Sequence, residues 1–227
     1  MTTASTLIQA VRDNASLDDT QKPTDSNILR WLNVEGAEVH GTISNTHELH
    51  LYKEATLSCT SSNYPSATLP SDFHRLKLVE EMQGTTPTAL EPFSFLDWSN
   101  REAGNTCTAP AYMVLGDQIV FSPASAAIGT YRLRYVQAWT DLATGSSVLP
   151  SVYDSQRWSE MIVHGATARA LSSMGEGEEA RLFASYKEEQ KQRIIEEAAN
   201  RDATGRERVR TRGYDPYACP LDSFTRK

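Results

Sequence analysis

Apolar positions recur at three- and four-residue spacing near both ends of the 227-residue chain and at two-residue spacing in its middle. That change of period predicts the architecture. ASTLIQAVRDNA places Leu7, Ile8 and Val11 on one stripe and predicts a short helix. TDSNILRWLNVEGAEVHGTI restarts the pattern with Ile28, Leu32 and Val39, offers Thr24, Asp25 or Ser26 as N-cap, and predicts a second helix frayed near Gly36.

From about residue 45 the period shortens. HELHLYKE, FHRLKLVE, AYMVLG, QIVFS and TYRLRYVQAW are short, rich in β-branched and aromatic residues, and separated by Ser, Thr, Pro, Gly and Asn, as strands are. In the last, Tyr131, Leu133, Tyr135, Gln137 and Trp139 share one face, opposite Arg132, Arg134, Val136 and Ala138. Gly116-Asp117 predicts a tight hairpin, because glycine accepts positive φ without steric penalty.

After ATGSSVLPS the helical period returns. SQRWSEMIVHGATARALSSM aligns Trp158, Ile162 and Gly165/Ala166, and its small residues Gly165, Ala166, Ala168 and Ala170 admit a close neighbouring helix. GEGEEARLFASYKEEQKQRIIEEAANRD predicts a long helix with Phe183, Tyr186, Ile194 and Ala198 inward and a charged, solvated outer face. The predicted fold class is α+β. It comprises a helical bundle over residues 1–44 and 146–203, an inserted antiparallel β-domain over 45–145, and an extended C-terminal arm over 204–227.

Charge sharpens the picture of that arm. Residues 201–227 carry seven Lys/Arg and four Asp/Glu, a net of +3, leaving −10 of the total −7 on residues 1–200. An acidic body is unlike a free-standing nucleic-acid binder, whose affinity comes from neutralising phosphates. The arm, with Arg206, Arg208, Arg210, Arg212, Tyr214, Tyr217 and Phe224, reads either as a disordered end or as a segment that orders on a partner.

No apolar stretch approaches the roughly 18 residues that a bilayer requires, so no membrane partner is expected. MTTASTLIQAVRDNAS has neither the basic start nor the apolar core of a signal peptide, so cytoplasmic synthesis is the expectation. Cys59, Cys107 and Cys219 lie far apart, which argues against a disulfide framework and for a reducing compartment.

The search for chemistry yields little. HELH lacks H-E-x-x-H spacing, and His47 and His50 three apart on a strand would point to opposite faces. GEGEE lacks the preceding strand of a nucleotide loop, and His74 and His164 have no acid or base partner in the sequence. Glu80-Glu81 and Glu196-Glu197 are adjacent surface pairs, without the separation that glycoside chemistry needs. No catalytic residue, metal ligand or cofactor is expected, and the protein is not expected to be an enzyme.

The order of motifs is nevertheless distinctive. LIQAVRDNA, ILRWLNVEGAEV, NYPSATLPSDFHRLKLVEEM, PAYMVLGDQIVFSPASAAIGTYRLRYVQAWTDL and RWSEMIVHGATARALSSMGEGEEARLFASYKEEQ together resemble the head-to-tail adaptor proteins of tailed bacteriophages, also called neck, connector or head-completion proteins. The resemblance covers residues 5 to about 203 and leaves the arm outside it. It implies a structural virion protein, dodecameric and ring-shaped, between portal and tail. The implied partners are the portal protein, a tail or nozzle protein, further copies of itself, and genomic DNA passing without sequence-specific contact. The implied place is the virion neck, after assembly in the host cytoplasm.

Within that resemblance the sheet of residues 111–136 would present edges and faces to neighbouring subunits, and Glu176, Glu178 and Glu179 are candidate channel residues; outside it, the arm is expected to insert against the portal. Three other readings stand beside it. One is a tail completion or terminator protein of the same virion. Another is a monomeric β-domain binding carbohydrate or peptide through Trp98, Tyr112 or Trp139. The third is a metal-dependent hydrolase that brings His47, His50 and His74 together.

Overall fold

The computed structural model describes residues 2–17, 23–46, 48–60, 65–83, 86–103, 110–123, 128–155 and 158–202. The fold is α+β, and the chain divides into two compact units: one holds the chain up to Leu51 and resumes at Ala138, and the other runs Tyr52–Gln137.

The helical unit begins with α1 (Ala4–Asn14), capped by the Thr3 hydroxyl accepting from the Thr6 amide, with Leu7, Ile8 and Val11 buried as the spacing predicts. α2 spans Asp25–Thr46, and Thr24 is the residue that caps it, its hydroxyl and carbonyl both accepting from the Asn27 amide. Arg12 joins the two helices: it is buried, and its guanidinium donates to Asp25 Oδ1 at 2.6 and 3.0 Å and to the Pro23 carbonyl.

The predicted fraying at Gly36 does not occur. α2 is continuous through it, because Gly36 is a point of close approach: a Cβ there would overlap the indole of Trp139. Trp139 in turn stands edge-on to Tyr153 at 5.3 Å, in the short helix α3 of this unit (Ser151–Ser155), so it does not lie on the strand face it was assigned to. Tyr153 donates to or accepts from His40 Nδ1 at 2.7 Å, and both are buried. Asn33 clamps the returning chain by a reciprocal pair of hydrogen bonds with the Leu142 backbone, 2.8 and 3.1 Å.

α4 (Trp158–Met174) and α5 (Gly177–Asp202) complete the unit. α4 lies against α1, α2 and α5 and is buried along most of its length. Its end at Gly175, φ +89°, is a Schellman stop: the Glu176 amide donates to the Leu171 carbonyl and the Gly175 amide to Ser172. That turn reverses the chain directly into α5. The inward side of α5 holds Phe183 and Ile194 as predicted, together with Ala180, but Tyr186 is 41% exposed and Lys187 turns inward beside it. Ala198 lies outside the residues whose side chains are described.

The HELH segment is not a strand. Glu48–Leu51 forms a 3₁₀ turn ending in buried Leu51, and the first strand starts one residue later. His47 lies outside the described residues.

The β unit contains a four-stranded antiparallel sheet and a three-stranded one. In the first, β1 (Tyr52–Cys59), β7 (Gly129–Gln137), β3 (Phe73–Gln83) and β4 (Thr86–Ala89) lie in that spatial order. In the second, β2 (Ser66–Thr68) and β5 (Ala111–Leu115) flank β6 (Gln118–Ser122). The two short edge strands β2 and β4 escape sequence patterning because they hold three and four residues. β7 carries the predicted inner face, with Tyr131, Leu133 and Tyr135 buried. They join Leu57, Cys59 and Val79 from the same sheet and Ile119 and Phe121 from the other in one apolar cluster. At its centre Phe121 and Tyr131 stack at 3.9 Å. β3 departs from simple alternation because it carries two register shifts, between Phe73 and Arg75 and between Leu76 and Leu78.

Candidate functional site

Three arrangements concentrate the polar and exposed groups: a buried ion network in the helical unit, a charged sheet face in the β unit, and an open apolar strand edge.

The network is centred on Glu35, 2% exposed, on α2. Arg169 of α4 donates to its Oε1 at 2.5 Å, and Lys187 of α5 stands 2.6 Å from its Oε2. Lys187 also donates to Glu38 at 2.7 Å, with Lys191 at 3.5 Å from the same residue. Gly165 makes room for this: a Cβ there would overlap the Glu35 carboxylate. The small residues of α4 therefore admit a charge as well as a helix backbone. The hydrogen bond from Lys187 holds the Glu38 carboxyl below its ordinary range. Burial pushes the Lys187 ammonium down, but its bonds to Glu35 and Glu38 outweigh that and its pKa is raised.

On the sheet, register makes the pairs. Glu54 and Glu80 lie directly across from Arg134 and Arg132, at 3.0 and 2.7 Å, and Arg134 also approaches Glu80 at 3.4 Å. Near the other end of β7, Asp72 accepts from Lys53 at 2.7 Å and from the Tyr135 hydroxyl at 2.8 Å. Burial and that bond push the Tyr135 hydroxyl up to about 12.

The edges of the two sheets differ in how they meet solvent. β4 carries Pro87, which has no amide to offer a further strand. β1 carries Lys53 and Glu54, both engaged in ion pairs, and β2 has only three residues. Among the described residues, β5 carries neither charge nor proline. At Tyr112 its outer edge is covered, because the Tyr112 amide donates to Glu91 and its carbonyl accepts from Phe93. Antiparallel pairing turns alternate residues the same way, so the Val114 amide and carbonyl also face outward. Val114 is 39% and Leu115 51% exposed, at the mouth of a tight turn where Gly116 adopts φ +62° as its sequence predicts.

Among the described residues no group of three or more His, Cys, Asp or Glu could hold a metal ion. His50 packs edge-on to Trp158 at 5.5 Å, and His164 packs beside Phe183 and Tyr186 at 5.9 and 5.8 Å, where burial lowers its pKa. The aromatic residues considered for a ligand platform are engaged within their own units: Trp98 against Phe93 and Phe95, Tyr112 beneath the Glu91–Phe93 segment, Trp139 against Gly36 and Tyr153. Glu176, Glu178 and Glu179 are exposed at the start of α5. Arg206, Arg208, Arg210, Arg212, Tyr214, Tyr217 and Phe224 lie outside the described residues. No described helix is long and apolar enough to cross a membrane.

What stands out is thus a set of packing devices and surfaces, the features of an assembly component. The family described as SU10 adaptor protein matches residues 2–212, and the chain belongs to it. It is a phage adaptor protein, a component of the virion that interacts with other virion proteins. Comparison with curated proteins returns no match. The family match extends past residue 203 into the arm, through Arg206 to Arg212, and stops short of Tyr214, Tyr217 and Phe224. Sequence reasoning missed the buried ion network, whose signal was the small-residue run Gly165–Ala170 facing an acidic position rather than an apolar one.

Proposed function

We propose that the protein is the head-to-tail adaptor of its virion: a dodecameric ring in the neck, assembled in the host cytoplasm, that joins the portal to the tail and gives passage to DNA. The observation that carries this reading is the β5 edge. Proteins that remain single copies blunt their sheet edges with charge, proline or shortness. β1, β2 and β4 are blunted in these ways, and β5 ends instead in exposed Val114 and Leu115. A ring is built from heterologous contacts that close, so each subunit needs an unprotected face of this kind.

The net charge of −10 on residues 1–200 supports the channel role, because an acidic lining repels phosphates and lets a duplex slide. The basic arm, with its six Lys/Arg, is the segment that engages the portal.

Mass photometry of the full chain, alone and mixed with the portal assembly of the same virus, tests the ring. A rise of the portal peak by the mass of a dodecamer of 25.2 kDa subunits is the expected result. A lone 25.2 kDa species beside an unshifted portal overturns it and favours a tail-completion role. Leu115→Asp is expected to abolish the rise, and deletion of residues 204–227 to weaken portal attachment while leaving the helical signal in circular dichroism intact.

A further inference from the structure

The helical unit carries an open groove between α4 and α5, with Trp31 of α2 at its side. Gly165, Ala168 and Ala184 line it, so another helix could approach closely. Its charged lining is Arg169, Arg181 and Lys187 against the single carboxylate of Glu35, a basic site on an acidic body. Lys187 and Glu35 are turned inward and paired, whereas Arg181 is exposed and has no ion-pair partner among the described residues.

The complementary surface lies on the same unit. Farther along α5, Ile195, Glu196 and Glu197 are exposed, and neither glutamate has an ion-pair partner among the described residues. They cannot reach the groove of their own chain. Arg181 and Ile195 sit on one continuous helix, and fourteen residues at 1.5 Å each hold them about 21 Å apart. Charge complementarity between groove and turn points to another copy as the occupant.

We propose that the groove of one subunit seats the Ile195–Glu197 turn of α5 from a second copy, with Glu196 and Glu197 meeting Arg181 and the exposed side of Arg169. This deepens the ring reading and rests on it. The contact is heterologous, each copy offering one groove and one acidic turn, as a closed ring requires. Both surfaces belong to the helical unit, so the contact is independent of the β5 edge.

Charge reversal tests it by mass photometry of the full chain with the portal assembly. Arg181→Glu, and separately Glu196→Lys with Glu197→Lys, should each raise the concentration for half-maximal ring formation about tenfold, since one lost charge pair per interface is worth about that factor. All three changes in one chain should recover part of the lost assembly, because position 181 and the turn then carry opposite signs again while Arg169 is unchanged. Loss without recovery overturns the proposal. If the variants assemble like the unsubstituted protein, the proposal falls and the ring stands. If the unsubstituted protein forms no ring with the portal, both fall.

Discussion

The helical unit and the β unit place their charged pairs by opposite means. Glu35 meets Arg169 and Lys187 where three helices converge, and the meeting exists because Gly165 withholds a side chain. Glu80 meets Arg132 because antiparallel register puts them opposite, with no special residue beneath them. The first pair is held by packing and the second by the ladder. Carboxylates fixed by packing should be intolerant of change, since removing the space or the partner leaves a charge stranded in low dielectric. The Glu80 pair, fixed by register, should be more tolerant, since Arg134 stands 3.4 Å from the same carboxylate and remains when Arg132 is lost.

The widest separation should come from Gly165→Leu. Its side chain displaces the Glu35 carboxylate from both cations, and urea unfolding followed by the helical circular dichroism signal should show a loss of about 4 kcal/mol. A loss under about 1 kcal/mol would mean that Glu35 has room to move. Tyr131→Ala is the matching break in the β unit. It removes the stacked partner of Phe121, and the same measurement should show about 3 kcal/mol lost.

Acid sharpens the contrast. Glu38 has its pKa lowered by the Lys187 hydrogen bond, so its contribution is complete above 4.5, the ordinary value, and is lost as pH falls through the depressed one. Asp72 is pushed up by burial, but bonds from Lys53 and Tyr135 prevail and its pKa too is lowered, from an ordinary value of 3.8. Urea midpoints measured against pH should therefore begin to fall below 4.5, and Lys187→Met should flatten that first part of the decline while leaving the part below 3.8. An unchanged profile in Lys187→Met would dissociate Glu38 from acid stability. The smallest effect should be Arg132→Ala, a urea midpoint shifted less than in any of the other variants, because the pair is cross-strand and Arg134 remains near Glu80.

Much of this organisation is legible in the sequence, since periodicity reports which side of an element is buried. It set out the helices at both ends, the strands between them and the hairpin at Gly116. It failed where a distant residue decides a local outcome. Gly36 reads as a weak point in a helix until Trp139 fills the space over it. Tyr186 reads as the inward residue of its turn until Glu35 draws Lys187 in instead, a choice made by electrostatics across three helices. HELH alternates like a strand yet closes a 3₁₀ turn, and β2 and β4 are too short to show a period. The surfaces were the least legible part, because an open edge is defined by what its neighbours lack. β5 becomes conspicuous only once Pro87 and the ion pairs of β1 are seen to close the alternatives.

The register that begins the β unit also ends it: Tyr52, its first residue, pairs with Val136, next to its last. The chain therefore leaves the helical unit and returns to it through neighbouring strands. For an unfolded insert, joining α2 to α4 means closing a long loop, whose entropic penalty grows with the logarithm of its length. Once β1 and β7 have zipped together, the same two helices are separated by a connection with the reach of a few residues. Pairing of β1 with β7 thus shortens the loop that the contacts of Glu35 with Arg169 and Lys187 have to close.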